Sequence, residues 1–208
     1  MNSFLTLAMA LTFWLQSTAP GKLPDFPLGT VLVWKGENRG YTSEFVIRIA
    51  RFRPDLYFEW EAANTQGTVL VKREAVERAR KYTSSRLLQA GADIETKNET
   101  CYWLSRDLFQ ELKDKGKTTF SLDGIKTELV QTGKSNHLLQ VNQQSTAVEL
   151  LEARDSRGGI WGFLDDEANP ILVRRQVNTY QEELASVSTD RPGSLRWIKG
   201  NRLKSGLP

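Results

Sequence analysis

The sequence holds one cysteine, Cys101, and one histidine, His137, and these two scarcities exclude more chemistry than any motif supplies. A single thiol cannot close an intramolecular disulfide, so stability has to come from a packed core. A structural zinc site wants four thiolate or imidazole ligands, and one of each is too few. Any Ser-His-Asp relay would have to run through His137, and no Gly-x-Ser-x-Gly elbow accompanies it. Thr132-Gly-Lys-Ser135 has the end of a phosphate loop, but Glu128 stands five positions before Gly133 where that loop needs glycine, so no cofactor is read from it. Long Gly/Ser, Pro or single-charge tracts are missing, as are internal repeats, and the body of the chain reads as one domain.

What is present starts with an address. Residues 1–19 carry no charged side chain and contain the apolar run from Phe4 to Leu15, followed by Gln16-Ser17-Thr18-Ala19. This layout predicts a signal peptide cut after Ala19 and a periplasmic or extracellular protein, although the n-region lacks Lys and Arg and Pro20 follows the cut. A retained anchor is the alternative, but the run is shorter than the roughly 20 residues of a membrane span, and no later stretch approaches that length. Residues 20–208 then form a single β-rich domain with a polar, basic tail from about 190. Its net charge of +3 is mild. The densest basic stretch, Lys72 to Arg86, is interrupted by Glu74 and Glu77, which suits a solvated helix face and not a nucleic-acid groove. In the tail, Arg191, Arg196, Lys199, Arg202 and Lys204 offer attraction to an anionic surface.

The dominant rhythm has period two. Leu56, Phe58, Trp60 and Ala62 face one way while Glu59 and Glu61 face the other, the pattern of a half-buried antiparallel strand with an ordinary solvated face. Phe45, Ile47 and Ile49 repeat it until the phase slips at Arg51-Phe52, which predicts a bulge, and Pro54-Asp55 turns the two runs into a hairpin. Further strands are expected near Thr30 to Lys35, Thr68 to Lys72, Thr118 to Leu122, Ile125 to Gln131, His137 to Val141, Thr146 to Arg154, Ile160 to Leu164 and Ile171 to Arg174, with Cys101-Tyr-Trp-Leu104 as a buried strand. Two segments read as helices: Glu74 to Tyr82, and Arg106 to Lys113 with Ser105 as N-cap and Gly116 as its stop. Val177 to Val187 fits either period. The expected fold is mainly β (α+β), a curved antiparallel sheet or half-barrel with two short helices covering one face.

Several blocks carry a resemblance. Phe58-Glu-Trp-Glu61, Gly67-Thr-Val-Leu70, Trp103-Leu-Ser-Arg-Asp-Leu-Phe-Gln-Glu-Leu112 and Asp155-Ser-Arg-Gly-Gly-Ile-Trp-Gly-Phe-Leu-Asp-Asp-Glu-Ala-Asn-Pro-Ile-Leu172 resemble a group of uncharacterised exported bacterial proteins. The resemblance implies a bacterial, extracytoplasmic setting and no catalytic residue. At the level of fold alone, strand number and export resemble the half-barrel of periplasmic lipoprotein carriers.

The functional expectation is a non-catalytic exported binding or envelope-interaction module. Leu56, Phe58 and Trp60, with Trp103 and Trp161, are the residues expected to line an apolar concave face that holds lipid or an apolar peptide; the competing reading is that they fill a closed core. A scaffold acting through envelope proteins is one alternative, and a hydrolase using His137 another. Asp155, Asp165, Asp166 and Glu167 read as turn formers and not as calcium ligands, because the interleaved glycine and ligand spacing is missing. No metal is expected. Glu59 and Glu61, about 7 Å apart along a strand, project side by side and cannot flank a sugar as glycosidase carboxylates do. The sequon Asn98-Glu-Thr100 matters only in a eukaryotic secretory pathway.

Overall fold

The computed structural model describes residues 23–190 together with Gly193 and Leu195. The expected signal segment and the five tail cations lie outside the described residues. In chain order the elements are β1 (Val31–Asn38), β2 (Tyr41–Arg51), β3 (Leu56–Ala62), β4 (Thr65–Val71), α1 (Arg73–Arg78), β5 (Lys81–Tyr82), β6 (Asp93–Thr96) and β7 (Glu99–Thr100). They continue with α2 (Arg106–Lys115), β8 (Lys117–Leu122), β9 (Ile125–Val141), β10 (Gln144–Asp155), β11 (Ile160–Leu164), β12 (Leu172–Val177) and β13 (Tyr180–Ser188). Among the described residues all strands join one curved, mainly antiparallel sheet in the order β6-β4-β3-β2-β1-β13-β12-β11-β10-β9-β8-β5-β7. The fold is mainly β with two short helices, as the alternation implied.

The sheet curls far enough to meet itself. The C-terminal end of β9 pairs in parallel with β13 at Ser186↔Gln140 and Val187↔Val141, so β9 to β13 form a closed circuit of pairings. The main core lies on the face carrying Leu32 and Trp34 of β1, Ile47 and Ile49 of β2, Phe58 and Trp60 of β3, and Trp161 and Phe163 of β11. Helix α2 caps this core beside β8, burying Leu108, Phe109 and Leu112. Ser105 caps it as expected, accepting the Leu108 N–H, and Gly116 ends it in the left-handed conformation that glycine adopts without steric cost.

Four details differ from the sequence reading, and a fifth settles a segment it left open. The phase slip in β2 is a bulge between Ile49 and Arg51, one residue before its expected place. Helix α1 stops at Arg78, because the Ala79 carbonyl accepts from the Ser105 hydroxyl and Tyr82 belongs to a strand paired with β7 and β8. Cys101 is buried, but Cys101-Tyr102 is a bend with Tyr102 at φ 57°, and only Trp103 makes a bridge, to Ile171. The two strands expected on either side of Gly133 are a single 17-residue strand, β9, with an irregularity opposite Glu152/Ala153. The ambiguous segment Val177 to Val187 is the β12–β13 hairpin, turning at Asn178 with φ 54°.

The face of Glu59 is not solvated as the alternation suggested. Glu59 is fully buried, and Thr68 beside it nearly so. After β13 the chain returns across this outer face: the Gly193 N–H donates to the Gly29 carbonyl at 2.8 Å, and Leu195 packs on a second small cluster of Ala50, Tyr57 and Leu70. A Cβ on Gly193 would come within 2.8 Å of Val31 Cγ2, so the close approach depends on glycine. Glu61, further out, pairs with Arg48 at 3.0 Å.

Candidate functional site

Leu56, Phe58, Trp60, Trp103 and Trp161 are all in the main core, none more than 5% exposed. Phe58 packs on Trp103, Trp60 stacks on Phe45, and Trp161 stacks on Phe163. The slot beside Leu56 and Trp103 has a volume of about 20 Å³, room for about one water and not for an acyl chain. Packing of rings against rings has used the space that the apolar face was expected to leave open.

A larger opening, about 810 Å³, lies on the opposite face of β11, β12, β13, β1 and β2. Register makes its floor explicit, because residues paired across strands share a face and alternate with the next pair. One row runs Gly162↔Arg174↔Glu183↔Lys35↔Glu44. The next runs Ile160↔Gln176↔Gln181↔Glu37↔Thr42. The first row alternates in sign from Arg174 to Glu44. Arg174 also pairs with Glu152 on β10 at 2.8 Å, and Glu152 accepts a hydrogen bond from Ser135. Lys35, Glu37 and Glu44 have no ion-pair partner among the described residues.

The same opening is also lined by Arg175 and Glu182, which lie in the core phase of their strands and form a buried charged cluster. Arg175 and Glu182 are opposite each other, with Nη2 and Oε2 3.1 Å apart and side chains only 13% and 4% exposed. The Arg175 guanidinium lies over the rings of Trp161 at 5.3 Å and Tyr180 at 5.6 Å. Tyr102 donates its hydroxyl proton to Glu182 Oε1 at 2.8 Å. Burial works against the Arg175 charge, but the Glu182 carboxylate outweighs it and the guanidinium is held above its ordinary value. Burial, then the Glu182 carboxylate, pushes Tyr102 well up and Tyr180 up to about 12. Their folded values lie above the unfolded value of about 10, so their contribution to stability is complete below pH 10 and is lost as the pH rises through each folded value, about 12 for Tyr180. Ultraviolet titration of tyrosinate is expected to find both phenols ionising above free tyrosine, Tyr180 near pH 12. Reversible ionisation of both near pH 10 in folded protein would contradict the packing.

The other sequence candidates sit elsewhere. His137 Nε2 faces Glu183 Oε1 at 3.4 Å, and Ser135, on the same strand face, donates its hydroxyl hydrogen bond to Glu152. Among the described residues the imidazole therefore has no nucleophile bonded to it. Asp155 accepts from the Arg157 and Gly159 N–H groups and from Trp161 Nε1, which makes it the clamp of the β10–β11 turn. Asp166 caps its own turn at Ala168 N, and Asp165 is held by Lys113 and Lys134. No group of three or more His, Cys, Asp or Glu able to hold a metal occurs among the described residues. Glu59 and Glu61 belong to the strapped outer face. In the basic stretch, Lys72, Arg73, Arg80 and Arg86 are paired with Asp55, Glu77, Glu111 and Glu99.

Among known proteins, no family, no curated protein and no solved structure matches the chain. No helix among the described residues is long and apolar enough to cross a membrane.

The trough and the Arg175–Glu182 pair were missed by sequence reasoning. A signal for the pair was there: Val173, Arg175, Val177 and Tyr180, Glu182, Leu184 each put one charge, of opposite sign, in the apolar phase of neighbouring runs. No such signal marks the trough, because Lys35, Glu37, Gln176, Gln181 and Glu183 look like any solvated strand face.

Proposed function

We propose that this protein is an exported, non-catalytic binding module that holds its ligand in the polar trough across β11, β12, β13, β1 and β2. The observation that carries this reading is an opening of about 810 Å³, within the range of about 300–1,000 Å³ of ligand sites, on a sheet whose core face is fully packed. A sheet fixed by antiparallel pairing on both sides holds its side chains in place and supplies the preorganisation that binding needs. The reading of export rests on the uncharged apolar leader, residues 1–19.

The test is to express the full chain in a bacterial host, purify it gently from the envelope fraction, read its N-terminus and weigh it under native conditions. The expected result is a chain beginning at Pro20 that carries a polar small molecule or peptide, lost in the Glu37→Gln/Glu44→Gln variant. An intact Met1 on a cytosolic product, or retained lipid in place of a polar ligand, would overturn the reading.

A second reading, a scaffold for protein partners, draws on Tyr41 and Leu138, which are 82% and 69% exposed on β2 and β9. Crosslinking in the envelope with Tyr41→Ser and Leu138→Ser as controls separates it from the first.

A further inference from the structure

Resting on the reading of the trough as the binding site, we propose that its ligand is zwitterionic: a polar molecule of short-peptide size that presents a carboxylate and an ammonium or guanidinium group together. The floor decides this. Arg174, Glu183, Lys35 and Glu44 lie side by side on four adjacent strands, about 4.8 Å apart, with signs that alternate along the row. That spacing is shorter than the Debye length of about 8 Å at physiological salt, so each neighbour is felt. A purely cationic ligand seated on Glu44 meets Lys35 next to it, and a purely anionic one seated on Lys35 is flanked by Glu44 and Glu183. The four charges sum to zero and offer little to a ligand of one sign. A ligand carrying both signs a few ångströms apart is attracted at both ends.

Availability points the same way. Lys35 and Glu44 face each other across β1 and β2 and have no ion-pair partner among the described residues, nor has Glu37 diagonally across from Glu44. Arg174 shares its charge with Glu152 and Glu183 lies 3.4 Å from His137 Nε2, whereas on the β1–β2 side no such neighbour occurs among the described residues. The contact is therefore assigned to Lys35 for the carboxylate and to Glu44, with Glu37, for the cationic group. Gln176, Gln181 and Thr42 in the next row supply amide and hydroxyl partners for a peptide backbone. The volume exceeds what a single amino acid fills and suits a chain of a few residues.

The test is an amide NMR titration of the full mature chain with three probes: the dipeptide Lys-Glu, spermidine and glutarate. Lys-Glu is expected to shift amides in segments 35–37, 42–44, 174–176 and 181–183, with affinity at least about tenfold above either probe of one sign and falling with added salt. Lys35→Met and Glu44→Gln, both exposed and outside the core, are each expected to weaken Lys-Glu about tenfold, the loss of one charge-assisted contact, while the remaining spectrum stays folded. Spermidine or glutarate binding in the trough as tightly as Lys-Glu, or unchanged affinity in both variants, would overturn the zwitterion assignment and leave the trough as a site. Absence of shifts in all four segments with all three probes would sink the trough itself, and this assignment with it.

Discussion

Glu182→Ala is expected to lower the unfolding free energy by about 3–5 kcal/mol, because among the described residues Glu182 is the carboxylate paired with Arg175, whose side chain is only 13% exposed. A paired charge in the interior is close to break-even, whereas an orphaned one carries its full desolvation cost. Tyr102 loses its acceptor in the same step. For a chain of this size such a loss is about 6–20 °C in Tm. Urea denaturation at pH 7 measures it, and two companions locate its origin. Glu182→Gln keeps an acceptor for Tyr102 but not the charge, and is expected to recover only part of the stability. Arg175→Met combined with Glu182→Leu removes both charges and is expected to recover most of it. A Glu182→Ala loss below about 1 kcal/mol would mean that solvent reaches Arg175 freely, contrary to its burial.

That pair also shows where sequence reasoning stops. Alternation identified most strands because period two survives wherever one face is buried, as in Leu56, Phe58 and Trp60. It failed where the ladder slips. In β13, Tyr180, Glu182 and Leu184 share the core phase, but the register shift against Val33/Trp34 lets Ala185 drop out, and the next buried position is Val187. A jump of three after steps of two is what made the segment fit a helix as well as a strand. Cys101 to Trp103 failed for a different reason: a left-handed Tyr102 turns the chain, and no local residue preference announces that conformation at a tyrosine. The site was illegible for a third reason. Polarity says which side chains avoid the core, but not whether the face they share is convex and ordinary, covered by a returning segment as at Glu59, or concave as at Lys35 and Glu183. Curvature comes from the closure of β9 on β13, a contact between residues far apart in sequence.

Trp161→Ala separates core from ligand site most sharply, and its expected effect is on the fold. The indole is almost fully buried, stacked on Phe163 at 6.0 Å, edge-on to Tyr82 at 5.7 Å and under Arg175, so truncation is expected to cost about 3–5 kcal/mol. Trp161→Phe keeps one aromatic ring, leaves a smaller void than alanine does, and removes the 2.9 Å bond from Nε1 to Asp155. Burial opposes ionisation of Asp155, but that indole N–H and the Gly159 and Arg157 amides outweigh it and hold the carboxyl below its ordinary value. A depressed folded pKa means stabilisation that is complete above the unfolded value of about 3.9 and is lost as pH falls through the folded one. The Phe variant has less of this to lose, so its deficit against the native protein is expected to be largest near neutral pH and to narrow below about pH 3.9. Urea midpoints across that range measure the gap; a gap independent of pH would show that the indole N–H does not act through the Asp155 carboxylate. If Trp161 instead lined an apolar ligand face, Trp161→Ala would leave the unfolding midpoint nearly unchanged and abolish retained lipid, the opposite of what its packing requires.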